Sequence, residues 1–226
     1  MRQGEPMTKK GFSSRIVATF FLCLITELWA ERPKPVKIAC VGDSITFGKG
    51  IRRRKRNSYP SQLAAMLGDK WAVRNFGVSG ATLLKKGETP YWDKKALNDA
   101  HKFNPDVVII KLGTNDSKPH NWTHKAEYVS DYIALIESFQ ELESNPTVWI
   151  CYPVPAYSGR WGITDKVMTD DVMPLIDKVA KKANVKIIDL YSALSNKKEM
   201  FPDTVHPNST GAKLMAEKIY LEITGK

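Results

Sequence analysis

The sequence is poor in the residues from which metal centres and disulfide frameworks are built. Its 226 residues include only three cysteines and four histidines. Cys40 and Cys151 each lie in an apolar stretch typical of a buried strand, so we expect them to act as small buried hydrophobic residues. His120 and His124 are four residues apart, but no third ligand is evident near them. We therefore predict no metal site.

The chain also lacks an apolar run that would span a membrane comfortably, for which about 20 residues are needed. The apolar run at residues 16–25 follows four basic residues and ends shortly before Ala30. A basic start, a short apolar run and a small residue before a polar chain predict a secretory signal peptide over residues 1–30. Residues 31–226 would then be secreted or periplasmic, without stable insertion in a membrane. An N-terminal anchor or a buried helix is the alternative.

Residues 31–226 contain no repeat, no low-complexity segment and no flexible linker, so a single domain is predicted. The formal net charge is +10, and the strongest basic run lies at residues 51–56. No aromatic residues interleave with that run and no known nucleic-acid-reading module surrounds it. We interpret it as a solvated loop and predict no nucleic-acid partner. The stretch 42–50 is not a phosphate-binding loop, because its glycine spacing is wrong and Gly50 replaces the magnesium ligand.

Five short β-rich runs alternate with helical patterns along the chain. The runs lie at residues 36–42, 71–77, 106–113, 147–153 and 185–191. The helical patterns lie at residues 59–67, 91–103, 126–142, 165–183 and 209–223. This alternation predicts an α/β fold with a five-stranded parallel sheet wrapped by helices, in the common order 2-1-3-4-5. The first and fourth strands would then be about 10 Å apart, too far for a disulfide between Cys40 and Cys151.

Polar residues follow four of the five predicted strands. Ser44 follows the first strand, Gly80 the second and Asn115 the third, while Asp203 and His206 come after the fifth. Ligands of such sheets bind at the carboxyl ends of the strands, where the strand order reverses. We therefore expect all five residues at one rim, with Ser44 and Asn115 facing each other from neighbouring strands.

These residue types are the ones that nucleophilic catalysis needs. A serine hydroxyl is a poor nucleophile until a base takes its proton, and His206 can be that base. Asp203 can bind the other ring nitrogen and fix the tautomer. The backbone N–H groups of Ser44 and Gly80 and the side-chain amide of Asn115 can donate to a developing oxyanion. The neighbouring Asp43 and Asp116 are interpreted as turn residues, a role that aspartate often has.

Taken together, the four short sequence blocks that contain these residues resemble those of the SGNH-hydrolase superfamily, also called GDSL-type esterases. The matching residues are Ser44 in GDS, Gly80 in VSGAT, Asn115 in GTND, and Asp203 and His206 in DTVHP. They occur in the family's order, and the resemblance spans residues 36–223. Ile45 replaces the leucine of the first block, a change that should not affect the chemistry. The resemblance implies a three-layer α/β/α flavodoxin-like sandwich, no metal or organic cofactor, and ester hydrolysis through an acyl-serine intermediate.

The substrate is less clearly indicated. The stretches at residues 42–48, 58–60, 75–84 and 90–92 are similar to those of secreted sialate O-acetylesterase-like carbohydrate esterases. No extra apolar segment could form a lid or an acyl tunnel. We expect a short-chain ester, with acetyl groups on a carbohydrate as the first candidate. Tyr91, Trp92, Arg160 and Trp161 are predicted to contact the substrate from rim loops, with a packing role as the alternative for the aromatic residues. The basic residues Lys49, Arg52, Arg53 and Arg160 could attract an anionic sugar. A lysophospholipase or thioesterase, or a glycan-binding module without turnover, are the alternatives.

Overall fold

The computed structural model describes residues 34–226, together with Met1 and Gly4. The predicted signal peptide over residues 1–30 therefore lies outside the described residues, apart from those two positions. In the described part of the chain, no helix is both long and apolar enough to cross a membrane. Strands and helices alternate along residues 36–224, so the predicted α/β class is confirmed.

The five predicted strands form one parallel sheet. They are β1 (Val36–Gly42), β2 (Trp71–Gly77), β3 (Val107–Lys111), β4 (Thr147–Cys151) and β5 (Lys186–Ile188), in the order β2-β1-β3-β4-β5. The predicted order is confirmed. Gly42, the last residue of β1, pairs with Gly77 of β2 and with Lys111 of β3. The three strands therefore end level with one another, and the loops that follow them start from the same rim.

Helices join the strands and cover both faces of the sheet. They are α1 (Ser44–Phe47), α2 (Arg54–Asn57), α3 (Tyr59–Leu67), α4 (Lys95–Phe103), α5 (Pro119–Trp122), α6 (Tyr128–Gln140), α7 (Asp165–Val167), α8 (Met173–Ala183), α9 (Leu190–Leu194) and α10 (Ser209–Thr224). The predicted helix at 91–103 is divided, because a 3-10 turn over Tyr91–Asp93 precedes α4. The predicted helix at 165–183 contains a π-helical turn over Met168–Val172, after which Pro174 occupies the first turn of α8.

Two hydrophobic layers sandwich the sheet, as the predicted three-layer architecture requires. Along β1, Ala39 and Val41 face the layer built with α4, α6 and α8, whereas Ile38 and Cys40 face the layer built with α3, α9 and α10. Both sets are fully buried. A strand that is covered on both faces needs apolar residues at nearly every position, which explains the continuous apolar run of β1.

Cys40 and Cys151 are buried free thiols, as predicted. They lie on β1 and β4, with β3 between the two strands. Burial raises the pKa of the Cys40 thiol well above its ordinary value and that of Cys151 to about 12. Because the thiolate is the reactive form, both side chains act as packing groups.

The basic run at residues 51–56 is only partly the solvated loop that we predicted. Its second half forms the short helix α2 (Arg54–Asn57). The Arg54 guanidinium lies 3.7 Å from the centre of the Phe47 ring and donates to the Phe47 carbonyl. Arg54 is therefore tied to the end of α1, whereas Arg52 and Arg53 are exposed.

Candidate active site

The turn between β1 and α1 places Ser44 at the rim of the sheet. A side chain at Gly42 would bring its Cβ within 2.2 Å of the Thr46 hydroxyl and 2.5 Å of the Lys111 carbonyl oxygen. Only glycine allows the chain to turn this closely against β3. Ser44 follows two residues later as the first residue of α1 and is 5% exposed.

Asp43 is more than a turn residue, so that interpretation is corrected. Its side chain is fully buried and caps α1, accepting the Ile45 N–H at 2.8 Å. Its other oxygen accepts from the Lys111 ammonium group at 3.0 Å, and the same ammonium donates to the Thr114 hydroxyl at 2.6 Å. A buried ion pair thus joins the turn that holds Ser44 to the loop that follows β3.

Ser44, His206 and Asp203 form a hydrogen-bonded chain, so the structure brings the three predicted residues together. His206 Nδ1 lies 2.7 Å from Asp203 Oδ2, and Ser44 Oγ lies 2.8 Å from His206 Nε2. A carboxylate can only accept, so Nδ1 carries the hydrogen. In neutral His206 this leaves Nε2 as the acceptor of the Ser44 hydroxyl, which is the arrangement that a general base needs.

The loop that carries Asp203 and His206 is held from several sides. Asp203 Oδ1 accepts the backbone N–H groups of Val205 and His206 at 3.1 and 2.7 Å. Partial burial opposes ionisation of Asp203, but these bonds and the one from the His206 ring outweigh it and lower the pKa of the carboxyl below its ordinary value. Thr204 has a left-handed φ of 72°, which is unusual for a β-branched residue. Its carbonyl accepts from the backbone N–H of Tyr157 at 2.9 Å.

Gly80 and Asn115 lie beside Ser44 in the same pocket, as predicted. Gly80 has a φ of +82°, a conformation that glycine adopts without steric strain. The Asn115 side-chain amide donates one hydrogen to the Ala81 carbonyl at 3.0 Å. Its second amide hydrogen is available to a ligand, since an amide NH₂ has two donors. This bond also ties the loop after β3 to the loop after β2.

Asp116 also does more than close a turn, and its role is not visible from sequence spacing. Its carboxylate is fully buried and accepts the backbone N–H groups of Leu83 and Leu84 at 3.1 and 2.8 Å. Desolvation raises the pKa of this carboxyl to about 6, although the two N–H groups work against the rise. Asp116 therefore anchors the segment that directly follows Gly80.

The pocket above Ser44 has a volume of about 150 Å³. It is lined by Ser44, Lys49, Gly80, Thr114, Asn115, Lys118, Trp161, Ile163, Val205 and His206. Trp161 is 46% exposed, and its ring centre lies 5.6 Å from that of His206. Arg160 stacks on the Trp161 indole, with its guanidinium carbon 4.4 Å from the ring centre. The structure thus places Trp161 in the pocket wall and Arg160 next to it.

Tyr91 and Trp92 do not reach the pocket, so their predicted contact with substrate is corrected. Tyr91 is fully buried, and its hydroxyl donates to the Phe76 carbonyl at 2.7 Å. Trp92 is half-buried, and its indole N–H donates to the Leu83 carbonyl at 2.9 Å. The physical reason is that the segment after β2 folds back on itself, with Thr82 bridged to Pro90. Both aromatic residues stabilise this loop from within.

A serine, a histidine and an aspartate joined in this way, beside candidate oxyanion donors at the carboxyl edge of a parallel sheet, are typical of serine hydrolases. The model of the GDSL-like Lipase/Acylhydrolase family matches residues 40–214. The chain belongs to this family, whose members are carboxylic ester hydrolases. The family prediction made from the four sequence blocks is therefore confirmed.

Two relatives and one solved structure illustrate the similarity. The chain is 41% identical to an acetylxylan esterase of Xylanibacter ruminicola over 208 residues, which covers 84% of this chain and 43% of that protein. It is 26% identical to an acetylxylan esterase / glucomannan deacetylase of Cellvibrio japonicus over 152 residues, 52% of this chain and 40% of that protein. The chain thus spans less than half the length of either relative.

The solved structure shares the fold. A carbohydrate acetylesterase from Sinorhizobium meliloti superposes with a TM-score of 0.70, over 84% of this chain and 99% of that one. The two sequences are 19% identical. At this level of identity the comparison concerns the arrangement of strands and helices, and it agrees with the sheet order described above.

Proposed function

We propose that this chain is a serine acetylesterase that removes O-acetyl groups from a carbohydrate. The observation on which this proposal chiefly depends is the hydrogen-bonded chain from Ser44 Oγ through the His206 ring to Asp203, with distances of 2.8 and 2.7 Å. The relatives named acetylxylan esterases support an acetyl ester as substrate. Acetylated xylan is therefore the first polymer to test.

In the proposed mechanism, Ser44 Oγ attacks the ester carbonyl carbon while His206 Nε2 takes the hydroxyl proton. The carbonyl π electrons move to oxygen, and the resulting oxyanion accepts from the N–H groups of Ser44 and Gly80 and from the Asn115 amide. Asp203 keeps Nδ1 protonated and stabilises the imidazolium that forms. The protein supplies these groups before the reaction starts, so little reorganisation accompanies the charge that develops.

The tetrahedral intermediate then collapses, and the bond between carbon and the alcohol oxygen breaks. His206 gives its proton to that oxygen, so the sugar leaves as a neutral alcohol. A water molecule enters, loses a proton to His206 Nε2 and attacks the acetyl-serine carbonyl. The second intermediate releases acetate, and Ser44 recovers its proton from His206. The net reaction consumes one water and yields one alcohol and one acid.

The dimensions of the pocket favour a short acyl group over a lipid chain. Its volume of about 150 Å³ is below the range of roughly 300–1,000 Å³ that is usual for drug-sized ligands. Three residues of its lining have large apolar side chains, Trp161, Ile163 and Val205, whereas the others are small or polar. A long acyl chain would have to extend into solvent, so lysophospholipid and long-chain thioester substrates are disfavoured.

The proposal is tested by the rate of p-nitrophenol release from p-nitrophenyl acetate, butyrate and octanoate, with wild-type protein and Ser44→Ala. We expect hydrolysis of the short ester and loss of that hydrolysis in Ser44→Ala. A preference for octanoate would point to a lipid-directed enzyme instead. A folded wild-type protein that neither turns over an ester nor reacts with a serine-directed phosphonate would be a glycan-binding module, and the proposal would be wrong.

We also propose that residues 1–30 direct export of the chain, and that the exported domain acts on a glycan ester without binding nucleic acid or inserting stably in a membrane. The support is the pattern of four basic residues followed by the apolar run 16–25. Sequencing the N-terminus of the protein recovered from medium or periplasm tests this. A mature N-terminus near residue 31 is expected, and an intact Met1 on cell-associated protein would contradict it.

A further inference from the structure

The lining of the catalytic pocket has a pronounced charge asymmetry. Two lysines, Lys49 and Lys118, contribute to it, and no aspartate or glutamate does. Lys118 is partly neutralised by Glu88 at 3.5 Å. Lys49 is exposed and forms no ion pair within the part of the chain that the structure describes. An unpaired ammonium group at the mouth of a site attracts anions.

A third cation lies next to the same wall of the pocket. Lys49 Nζ is 5.6 Å from the centre of the Trp161 ring, and the Arg160 guanidinium carbon is 4.4 Å from it. Like Lys49, Arg160 has no carboxylate partner among residues 34–226. Cation–π contacts with an indole hold such groups in place at exposed sites. The Trp161 ring therefore contacts both Lys49 and Arg160 beside the pocket, and it neutralises the charge of neither.

The backbone at Trp161 is strained in the way that functional positions often are. Its φ of 58° lies in the left-handed region, which costs a bulky residue about 1–2 kcal/mol. Gly159 and Gly162 on either side also have positive φ, at 67° and 77°. These conformations keep the indole at the pocket, with its ring centre 5.6 Å from that of His206 and 46% of the residue exposed. Strain of this kind persists only where surrounding structure enforces it.

The mechanism of ester hydrolysis determines which part of the substrate, the sugar or the acetyl group, lies next to Trp161. His206 must protonate the leaving alcohol oxygen, so that oxygen has to lie within hydrogen-bond reach of Nε2. The sugar attached to the oxygen must then lie close to the His206 ring, against which Trp161 packs. We therefore expect the two cations beside Trp161 to meet the sugar rather than the acetyl group.

From these observations we propose that Lys49, Trp161 and Arg160 form a subsite for a sugar that bears a carboxylate, such as an acetylated uronic acid or an acetylated residue linked to one. The inference rests on the proposed acetylesterase function and specifies its substrate class. Lys49 and Arg160 bind the carboxylate, and the exposed part of the indole contacts the apolar face of the sugar ring. Charge-assisted hydrogen bonds of this kind are stronger than neutral ones.

The test compares two soluble esters that differ in charge, an O-acetylated methyl xyloside and an O-acetylated methyl glucuronoside. The readout is the ratio of kcat/KM for the acidic ester to kcat/KM for the neutral ester. We expect the wild type to prefer the acidic ester, and the ratio to fall about tenfold in Lys49→Gln and in Arg160→Gln, equivalent to about 1.4 kcal/mol. Raising the ionic strength should lower the wild-type ratio as well.

Lys181→Gln is the matched control, because Lys181 is an exposed cation on α8 that does not line the pocket. It should leave the ratio unchanged. If Lys49→Gln and Arg160→Gln reduce kcat/KM for both esters equally, or for neither, the subsite proposal is wrong while the acetylesterase proposal stands. If the wild type hydrolyses no acetyl ester, including p-nitrophenyl acetate, both proposals are overturned.

Discussion

The Lys111 ammonium group lies 3.0 Å from the Asp43 carboxylate, and both side chains are fully buried. The pair joins the end of β3 to the turn after β1, where Asp43 directly precedes Ser44. The Thr114 hydroxyl accepts from the same ammonium group at 2.6 Å, and Asn115 is the next residue of that loop. One buried cation therefore relates the position of the candidate nucleophile to that of a candidate oxyanion donor.

Replacing Lys111 with methionine should destabilise the protein strongly. Removing one partner of a buried ion pair leaves the other charge uncompensated, which costs about 3–5 kcal/mol. The double variant Lys111→Met/Asp43→Asn should recover most of that loss, because it leaves no buried charge unpaired. An asparagine at position 43 can also still accept the Ile45 N–H and cap α1. Urea unfolding of the single and double variants measures both effects.

The control for this prediction is Lys213→Met, which removes an exposed pair between Lys213 and Glu217 at 3.5 Å. Exposed pairs of this type contribute about 0.3–0.5 kcal/mol, so this variant should unfold almost as the wild type does. A Lys111→Met protein as stable as Lys213→Met would show that the buried pair has no such structural role.

Asp203→Asn should reduce kcat by about 10³-fold or more while leaving the protein folded. An amide can donate a hydrogen toward Nδ1 of His206, which moves the ring hydrogen to Nε2. Nε2 then cannot accept the Ser44 proton. Initial rates with p-nitrophenyl acetate and circular dichroism of the same sample measure activity and folding. Asp69→Asn, at an exposed position after α3, should retain full activity; equal rates in the two variants would exclude the orienting role of Asp203.

The lowered pKa of Asp203 also predicts a direction for acid sensitivity. A carboxyl whose pKa is lower in the folded state stabilises that state fully above its unfolded value, about 3.9. The stabilisation is lost as the pH falls through the lowered folded value. NMR titration of the Asp203 carboxyl carbon should therefore give a midpoint below about 3.9, the ordinary value for an aspartate. A midpoint at or above that value would contradict the hydrogen bonds from Val205 and His206.

Asn115→Ala should lower kcat by about 10²-fold, since removal of one oxyanion donor has effects of this size. KM should change little if the amide acts chiefly on the charge of the transition state. Asn98→Ala on the exposed face of α4 is the matched control. A large rise in KM at unchanged kcat would instead assign Asn115 to ground-state binding.

The sheet order and the meeting of Ser44 with Asn115 were predictable, because parallel strands end at a common rim. The roles of Asp43 and Asp116 were not, since both depend on partners distant in sequence. Lys111 is a single charge inside the apolar stretch of β3, and nothing in its spacing identifies Asp43 as its partner. Tyr91 and Trp92 were misassigned because an aromatic residue in a loop can face either solvent or the loop's own interior. Only the tertiary packing distinguishes the two.

Asp116 should make the stability of the protein depend on pH in the opposite sense to Asp203. Burial raises its pKa to about 6 in the folded state, whereas the unfolded chain has a value of about 3.9. Between these values the folded state binds the proton more tightly, so stability falls as the pH rises from about 4 to about 6. The contribution is on the order of 3 kcal/mol.

Asp116→Asn removes this titration. The unfolding free energy of the variant, taken relative to that of the wild type at the same pH, should therefore rise by about that amount between about pH 4 and about pH 7. The variant should also be less active, because one of the two N–H groups of Leu83 and Leu84 loses its acceptor and the segment after Gly80 is released. Urea unfolding across this pH interval measures the first effect. An unchanged pH dependence in Asp116→Asn would mean that the carboxyl is already ionised at low pH, and that its two N–H donors outweigh its burial.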